Sequence, residues 1–360
     1  MEKAGLGVAV EPFRFQSYRF DKALLRLGED TAEVLGLAFD PYAGTDRIRG
    51  QVVFLEPAVV NDYRELSSAD MDGKIAVTTR GASLFRFTWV RRPRVALLVA
   101  PADFERLKAQ TGAAAELTVT GRRLEERSAN VVGVLAPQGA PAREVVILSA
   151  HHDSWKGPGA SDNASGVAVL LELARYFAKR ENPLPFRMRF VTFGAEERGM
   201  LGAKAYLEKH RAELEDCDLL FNLDTLGGPG INVEMLDGVK GIPAKRAQNQ
   251  FPADLMDKAT NDILARWLLL RPETMPEASN VPPWLQQAVK QAAQGAGLEF
   301  RPVRQMGSDH RIFAQAGIVA TNVASSPGKG HTAEDTAAMV NPESLERVAR
   351  LVACVVEKAR

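Results

Sequence analysis

At 360 residues the chain is long enough for one large core plus a smaller module, since single cores seldom grow beyond about 250–300 residues. Apolar residues make up 46% and charged residues 25%, a globular composition that excludes a disordered or fibrous chain. Lys plus Arg and Asp plus Glu number 45 each, so no net field draws the protein to nucleic acid or anionic lipid, and a small neutral or mixed substrate suits it better. The densest apolar cluster near the middle, Trp267-Leu268-Leu269-Leu270, is flanked by Arg266 and Arg271 and falls far short of the ~20 residues of a spanning helix, so no membrane insertion is expected.

The opening, Met1 to Gly7, has no apolar export segment, which reads as cytoplasmic for the chain as it stands, or as secreted or periplasmic if an upstream segment precedes it. Cys217 and Cys354 are too few and too far apart for a disulfide framework and read as buried free thiols. Val8 to Phe15 alternates as a strand, with Pro12 placing it at a sheet edge. Short β-like runs come after it at Gln51–Leu55, Lys74–Thr79, Val95–Ala100 and Ala115–Thr120, with one helix near Ala102–Gln110. They describe a small, mostly β module over residues 47–127, after an N-terminal part of residues 1–46 that belongs with residues 128–360.

From residue 128 to 360 the pattern changes to alternating buried strands and amphipathic helices. Asn130–Leu135 and Glu144–Leu148 look like neighbouring strands. Helix Ser165–Lys179, strand Phe186–Phe193, helix Met200–His210 and strand Leu219–Asn222 come next. Helices near Asp254–Leu269, Pro283–Gly295 and Pro342–Lys358, a Pro-rich loop over Arg271–Pro283 and a strand Ile318–Val323 complete the layer. Continuous apolar strands between amphipathic helices predict an α/β fold: a mixed, mainly parallel sheet with helices on both faces.

Five segments put His, Asp and Glu at the ends of these strands or at a helix entry, where open α/β sheets bind ligands. In His151-His152-Asp153 a histidine can bind a metal while an acid two residues on accepts its second N–H, although a pair of polar loop histidines reads the same way. Gly159 to Gly166, containing Asp162, could be an anion-binding loop or a capped helix start. Glu196 and Glu197 are adjacent carboxylates that are costly together without cations, or else simply favourable at a helix N-terminus. Asp224 closes an apolar strand, and His331 to Thr336 comes after the last one. Together the five supply the N and O donors that zinc prefers, and no Gly-x-Ser-x-Gly elbow offers a serine hydrolase instead.

On those five segments, in this order and covering Asn130 to Asp335, the chain resembles metallopeptidase family 28, the zinc aminopeptidases and glutamate carboxypeptidases. The resemblance implies a zinc exopeptidase fold and two zinc ions, with other divalent metals open. His151 and Asp224 would hold one ion, Glu197 and His331 the other, and Asp162 would bridge both. It further implies Glu196 as general base and Asp153 as the residue behind His151. Asp309 and His310, within Ser308-Asp309-His310, look like a family segment near the substrate pocket and are read as substrate or oxyanion contacts.

The implied function is hydrolysis of terminal peptide bonds by a dizinc-activated water, as an aminopeptidase first. The alternatives are a carboxypeptidase, with Arg301, Arg304 or Arg311 receiving the substrate carboxylate, a single-zinc glutaminyl cyclase, and an inactive binding module. The implied partner is a peptide; oligomeric state is not set. The 47–127 module resembles a protease-associated insertion through Met71-Asp72-Gly73-Lys74-Ile75-Ala76-Val77 and Arg80-Gly81, with Phe85-Arg86-Phe87-Thr88-Trp89 departing from that pattern. Family members usually begin with a longer helical segment, so Met1 to Leu6 reads as the end of a shortened helix.

Overall fold

The computed structural model describes residues 1–38, 47–82, 93–136, 144–155, 157–214, 217–234, 281–303 and 307–358. Contacts divide them into two compact units: Phe15–Glu126, and Met1–Arg14 together with the described residues from Arg127 onward. The helix expected near Asp254–Leu269, most of the Arg271–Pro283 loop and the Phe85–Trp89 run lie outside the described residues. Among the described residues no helix is long and apolar enough to cross a membrane.

The first unit is a closed barrel. Its strands are the part of β1 (Gly7–Leu27) from Phe15 onward, β2 (Asp30–Ala38), β3 (Arg47–Phe54), β4 (Ile75–Thr79), β5 (Val95–Val99) and the first part of β6 (Ala114–Leu135). They run in the order β1-β2-β5-β4-β3-β6, and β6 pairs back to β1. Leu25, Val52, Val77, Leu97 and Leu117, none of them exposed, fill the interior. Short helices α1 (Pro57–Asn61) and α2 (Tyr63–Ser68) join β3 to β4, and α3 (Pro101–Leu107) comes after β5. Residues 15–38, expected to belong with the later part, contribute barrel strands instead, because β2 pairs with β5 and β1 with β2.

The second unit is an α/β sheet whose strand order continues β6-β8-β7-β9-β12-β10-β11, with β7 (Glu144–His151), β8 (Arg187–Phe193), β9 (Leu219–Leu223), β10 (Ile231–Glu234), β11 (Phe300–Val303) and β12 (Ala320–Ala324). The central strands β8, β7, β9 and β12 are mutually parallel, while β6 and β10 run antiparallel to their neighbours β8 and β12. Two expectations change here. Ala115–Thr120 and Asn130–Leu135 are one long strand, β6, since the charged run between them keeps an extended backbone without needing an apolar face. And β6 is not beside β7, because β8 lies between them and pairs with both.

Helices cover both faces. α4 (Ser165–Ala178) buries Val169, Leu170, Leu173, Ala174 and Phe177, and α8 (Pro342–Lys358) buries Val348, Leu351, Val352, Val355 and Val356. In each, the i, i+3, i+4 spacing makes one apolar stripe, which joins α6 (Pro283–Gly295) in a single core. Successive strand residues point to opposite faces. On β8, accordingly, Phe190 meets Phe177 of α4 at 6.5 Å, whereas Phe193, an odd number of residues on, meets Tyr206 of α5 (Leu201–Leu214) and Phe313 of α7 (His310–Gln315) at 5.6 and 5.8 Å. Cys217 and Cys354 are not joined in a disulfide and are only partly buried, and Cys217 Sγ donates to the Leu219 carbonyl at 3.6 Å.

Candidate metal centre

Each of the four central parallel strands delivers a polar residue at its C-terminal end. β7 ends on His151, β8 leads to Glu196 and Glu197, β9 to Asp224 and β12 to the loop carrying His331. Asp162 comes from the short turn Ala160–Ala164 at the entry of α4, where the Asp162–Asn163 peptide is cis. Asn163 ties that turn to the end of β9, its Nδ2 donating to the Leu223 carbonyl at 2.8 Å and its Oδ1 accepting from the Gly166 and Thr225 amides at 3.1 and 3.2 Å. Gly166 has to be glycine, because a Cβ there would lie 2.4 Å from Asn163 Oδ1 and 2.5 Å from the Leu223 carbonyl.

All five ligand candidates converge. His151 Nε2 lies 3.1 Å from Asp162 Oδ1 and 3.2 Å from Asp224 Oδ1, and His331 Nε2 lies 3.1 Å from Asp162 Oδ2 and 3.0 Å from Glu197 Oε2. Two three-residue donor groups result, His151/Asp162/Asp224 and Asp162/Glu197/His331, each with its atoms within 4.8 Å of one another, and Asp162 gives one oxygen to each. Four described non-glycine residues have left-handed backbones, and all sit beside these groups: Ala195 (φ 56°), Met200 (59°), Thr225 (60°) and His331 (63°). Such conformations cost of order 1–3 kcal/mol each and persist where surroundings enforce them, as at ligand sites.

The electrostatics show an excess of negative charge. His331 is pushed up to about 10 by its hydrogen bonds to Asp162 and Glu197. Burial opposes charge on His151, but Asp224, Asp153 and Asp162 outweigh it and lift the imidazole well above its usual range. Burial would also raise Asp162, yet the two histidines hold it below the ordinary carboxylate range. Glu197 goes the other way despite its contact with His331, because burial and repulsion from Asp162 dominate. Each histidine Nε2 faces two carboxylate oxygens and has at most one proton to offer, and the buried Glu197 Oε1 has no hydrogen-bond partner among the described residues. A divalent cation satisfies what one proton cannot, so this N/O donor set fits zinc.

Asp153 does more than stand behind His151. The His151 Nδ1–H faces the Asp153 main-chain carbonyl at 3.1 Å, while the carboxylate is 3.6 Å away and accepts the Glu196 and Glu197 amides at 2.9 and 3.1 Å. One residue thus orients a candidate ligand histidine and the turn carrying both glutamates. Glu196 sits in that turn, partly buried, its carboxyl raised well above the usual range by burial and then by repulsion from Asp309, Asp224 and Glu197. Arg198 stacks over Trp155 at 5.2 Å, linking the same turn to the loop after Asp153.

Asp309 and His310 are brought near the centre but are 0% exposed, so neither side chain is open to a substrate as expected from sequence. A polar ladder fixes their segment: Ser149 Oγ donates to Asn222 Oδ1 at 2.6 Å, and Asn222 Nδ2 donates to Asn322 Oδ1 at 2.9 Å and Ser308 Oγ at 2.8 Å. Sequence reasoning gave no role to Asp335, which is 1% exposed and accepts from Ser161 N, Ser161 Oγ and Asp162 N at 2.8, 2.6 and 3.1 Å. The signal available was an acid four residues after His331, within a segment already singled out. Of the cations considered for a substrate carboxylate, Arg301 is engaged with Glu299 at 2.8 Å, Arg311 is buried, and Arg304 lies outside the described residues.

Residues 130–356 match the model of peptidase family M28. The chain belongs to this family. The M28 chain is 28% identical over 244 residues to aminopeptidase YwaD of Bacillus subtilis, a match covering 65% of this chain and 45% of that protein. It is 26% identical over 276 residues to the probable lipoprotein aminopeptidase LpqL of Mycobacterium tuberculosis, covering 68% and 54%. The chain therefore spans about half the length of these curated relatives. Among solved structures the M28 chain is similar to BSAP, a zinc aminopeptidase from Bacillus subtilis, with TM-score 0.62 and 22% identity over 99% of this chain and 86% of that one. It is also similar to the aminopeptidase from Aneurinibacillus sp. strain AM-1, with TM-score 0.60 and 23% identity over 99% and 85%. At these identities the likeness is one of fold.

Proposed function

We propose that this M28 chain is a metal-dependent exopeptidase, an aminopeptidase that removes N-terminal residues from peptides with two zinc ions at its centre. The observation carrying the reading is that Asp162 belongs to two donor groups at once, each completed by a histidine and a second carboxylate. His151 and Asp224 would hold one ion, Glu197 and His331 the other, with Asp162 between them. Bound there, the pair would supply Lewis acidity, polarising the scissile carbonyl and making water acidic enough to attack near neutral pH.

The protein's own part is positioning and proton transfer. Glu196 is the base: burial and neighbouring carboxylates raise its proton affinity, which suits a group that takes a proton from the attacking water and returns it to the leaving amine as the C–N bond breaks. Asp153 holds the Glu196 amide, and Asp335 holds the Asp162 turn. An aminopeptidase is favoured over a carboxypeptidase because the centre is rich in carboxylates that suit a free ammonium, while Arg301 and Arg311 are engaged or buried. The relatives named as aminopeptidases support the same choice. We assign the barrel to substrate access, in line with its likeness to a protease-associated module.

The test combines elemental analysis with a substrate panel. Close to two divalent ions per chain, loss of hydrolysis on chelation and return with zinc are expected, together with cleavage of aminoacyl substrates but not their N-acetylated forms. One tightly held ion after reconstitution would favour the cyclase reading, and turnover of N-acetylated substrates would favour a carboxypeptidase or amidase.

A further inference from the structure

Ser149 of β7 pairs in register with Asn222 of β9, which pairs with Asn322 of β12, so the three stand in one row across the central sheet. Each is at most 1% exposed. Their side chains are joined: Ser149 Oγ donates to Asn222 Oδ1 at 2.6 Å, and Asn222 Nδ2 donates to Asn322 Oδ1 at 2.9 Å. The same Nδ2 donates to Ser308 Oγ at 2.8 Å, on the segment before α7. Asn222 thus uses its amide group on two neighbouring strands and one loop.

The rows on either side of this one differ. Beneath it lie Ile147, Leu220 and Ala320, apolar and 0% exposed. Above it, two residues further along β7 and β9, come His151 and Asp224, whose Nε2 and Oδ1 are 3.2 Å apart. Residues two apart on a strand share a face. The polar row therefore lies directly under two of the three residues of the His151/Asp162/Asp224 donor group. Backbone pairing continues to that level, the Asp224 amide donating to the Val323 carbonyl at 3.0 Å.

Apolar burial alone does not set this register. The other face of β7 and β9 is apolar too, with Val146, Leu148, Phe221 and Leu223, so a slip of two residues would still place apolar groups against apolar groups. Such a slip carries Asp224 about 6.6 Å along the sheet. That is beyond the 4.8 Å within which the donor atoms lie together. The polar row opposes it, because Asn222 would then face Ile147 or His151 instead of Ser149, and a buried polar group left without its partner costs more than the hydrogen bond was worth. A single buried asparagine fixes the register of coiled coils in the same way.

We propose that the Ser149/Asn222/Asn322 row is a register pin for the metal centre: it fixes β7 against β9 so that His151 and Asp224 meet, with Asn222 as the central positioning residue. The proposal rests on the reading of His151, Asp162 and Asp224 as the ligands of one ion. Glu197 and His331 reach the centre on a turn after β8 and a loop after β12, outside the row. The pin therefore acts on one donor group and not on the other.

Zinc affinity, measured by competition with a chelator, tests this without any reference to turnover. His331→Ala leaves the first donor group complete and His151→Ala leaves the second, so each background reports one site. Ser149→Ala is expected to weaken zinc about 10–100-fold in the His331→Ala background and less than about threefold in the His151→Ala background. The thermal midpoint of the metal-free protein should fall equally in both, so a row that merely stabilises would move the midpoint and neither affinity. Ser308→Ala removes a partner of the same amide but joins no two strands, and it should leave zinc affinity at the background value. Ser149→Thr and Ser149→Val share a shape and differ in the hydroxyl; in the His331→Ala background the first should hold zinc more tightly than the second.

Equal weakening in both backgrounds, no weakening in the first, or a Ser308→Ala loss that matches that of Ser149→Ala would each overturn the proposal. Equal zinc affinity of Ser149→Thr and Ser149→Val would do so whether or not Ser149→Ala folds. Zinc absent from both backgrounds, before any change at Ser149, would sink the metal reading and the pin with it. Zinc held in the His331→Ala background but indifferent to Ser149 would sink the pin alone.

Discussion

Among the described residues, those from Phe15 to Glu126 bury three polar side chains, Ser17, Thr78 and Thr79, whereas the unit from Arg127 onward buries His151, Asn163, Asn222, Asp224, Asp309, His310 and Asp335 among many others. The barrel obeys the rule for a module whose task is to fold: apolar inside, charges outside, as in the exposed Arg49 and Arg106 pairs. The sheet unit breaks that rule at one edge. Buried polar groups lower stability unless every one is paired, and a half-satisfied network is worse than an apolar core. Their concentration at the ends of β7, β8, β9 and β12, together with every left-handed non-glycine residue described, marks an edge shaped for a cation rather than for stability.

The largest expected effect lies where that edge does chemistry. On the proposed role of Glu196 as general base, Glu196→Gln should lose roughly 10²–10⁴-fold in turnover. Bound metal should be unchanged by elemental analysis, because Glu196 belongs to neither donor group. An emptied site would reverse the roles given to Glu196 and Glu197. The opposite signature is expected from the barrel: Leu97→Ala should cost about 2–5 kcal/mol in chemical denaturation, as core truncations do. Its metal affinity should equal that of wild type, and a drop would show that the two units are not separable in function.

A smaller effect sharpens the difference further. Asp335→Asn removes one of the acceptors that hold Ser161 and Asp162, and loss of such a supporting partner weakens metal affinity about 10–100-fold. Competition titration against a chelator reads it directly, and an unchanged affinity would mean that the Asp162 turn is held by Asn163 alone. The smallest concerns a half-exposed pair. Arg189, against the Tyr206 ring, holds the Glu213 carboxylate below its usual 4.5.

A depressed folded-state pKa gives stability that is present above the unfolded value and lost as pH falls through the folded one. Glu213→Gln should therefore lower the thermal midpoint at pH 7 by an amount worth a few tenths to about 1 kcal/mol, discounted for solvent screening. The gap between variant and wild type should close as pH falls below the usual carboxylate range. A gap that persists there would assign the effect to packing.

Much of the sheet unit was legible because its helices and strands carry strong local periods. The stripe of α8 over Pro342–Lys358 and the apolar runs of β8 and β9 each encode their own element. The candidate ligands that the structure brings together were legible for a related reason: short motifs at strand ends keep their chemistry within a few residues. The barrel was less so. Two of its strands draw on residues 15–38, where no clean period marks where one strand stops and the next begins, and the charged stretch inside β6 conceals one continuous strand.

What the sequence by itself determined is therefore local: which segments are helix or strand, and which side chains have the chemistry to hold a cation or move a proton. Only the tertiary structure decided pairing and burial, since hydrogen bonds between strands and the exclusion of water depend on segments far apart in the chain. It set β8 between β6 and β7. It gave the Asp153 carboxylate to the Glu196 and Glu197 amides. It brought Asp335 to Asp162 across 173 positions, and it buried Asp309 away from solvent and from any solvent-facing substrate.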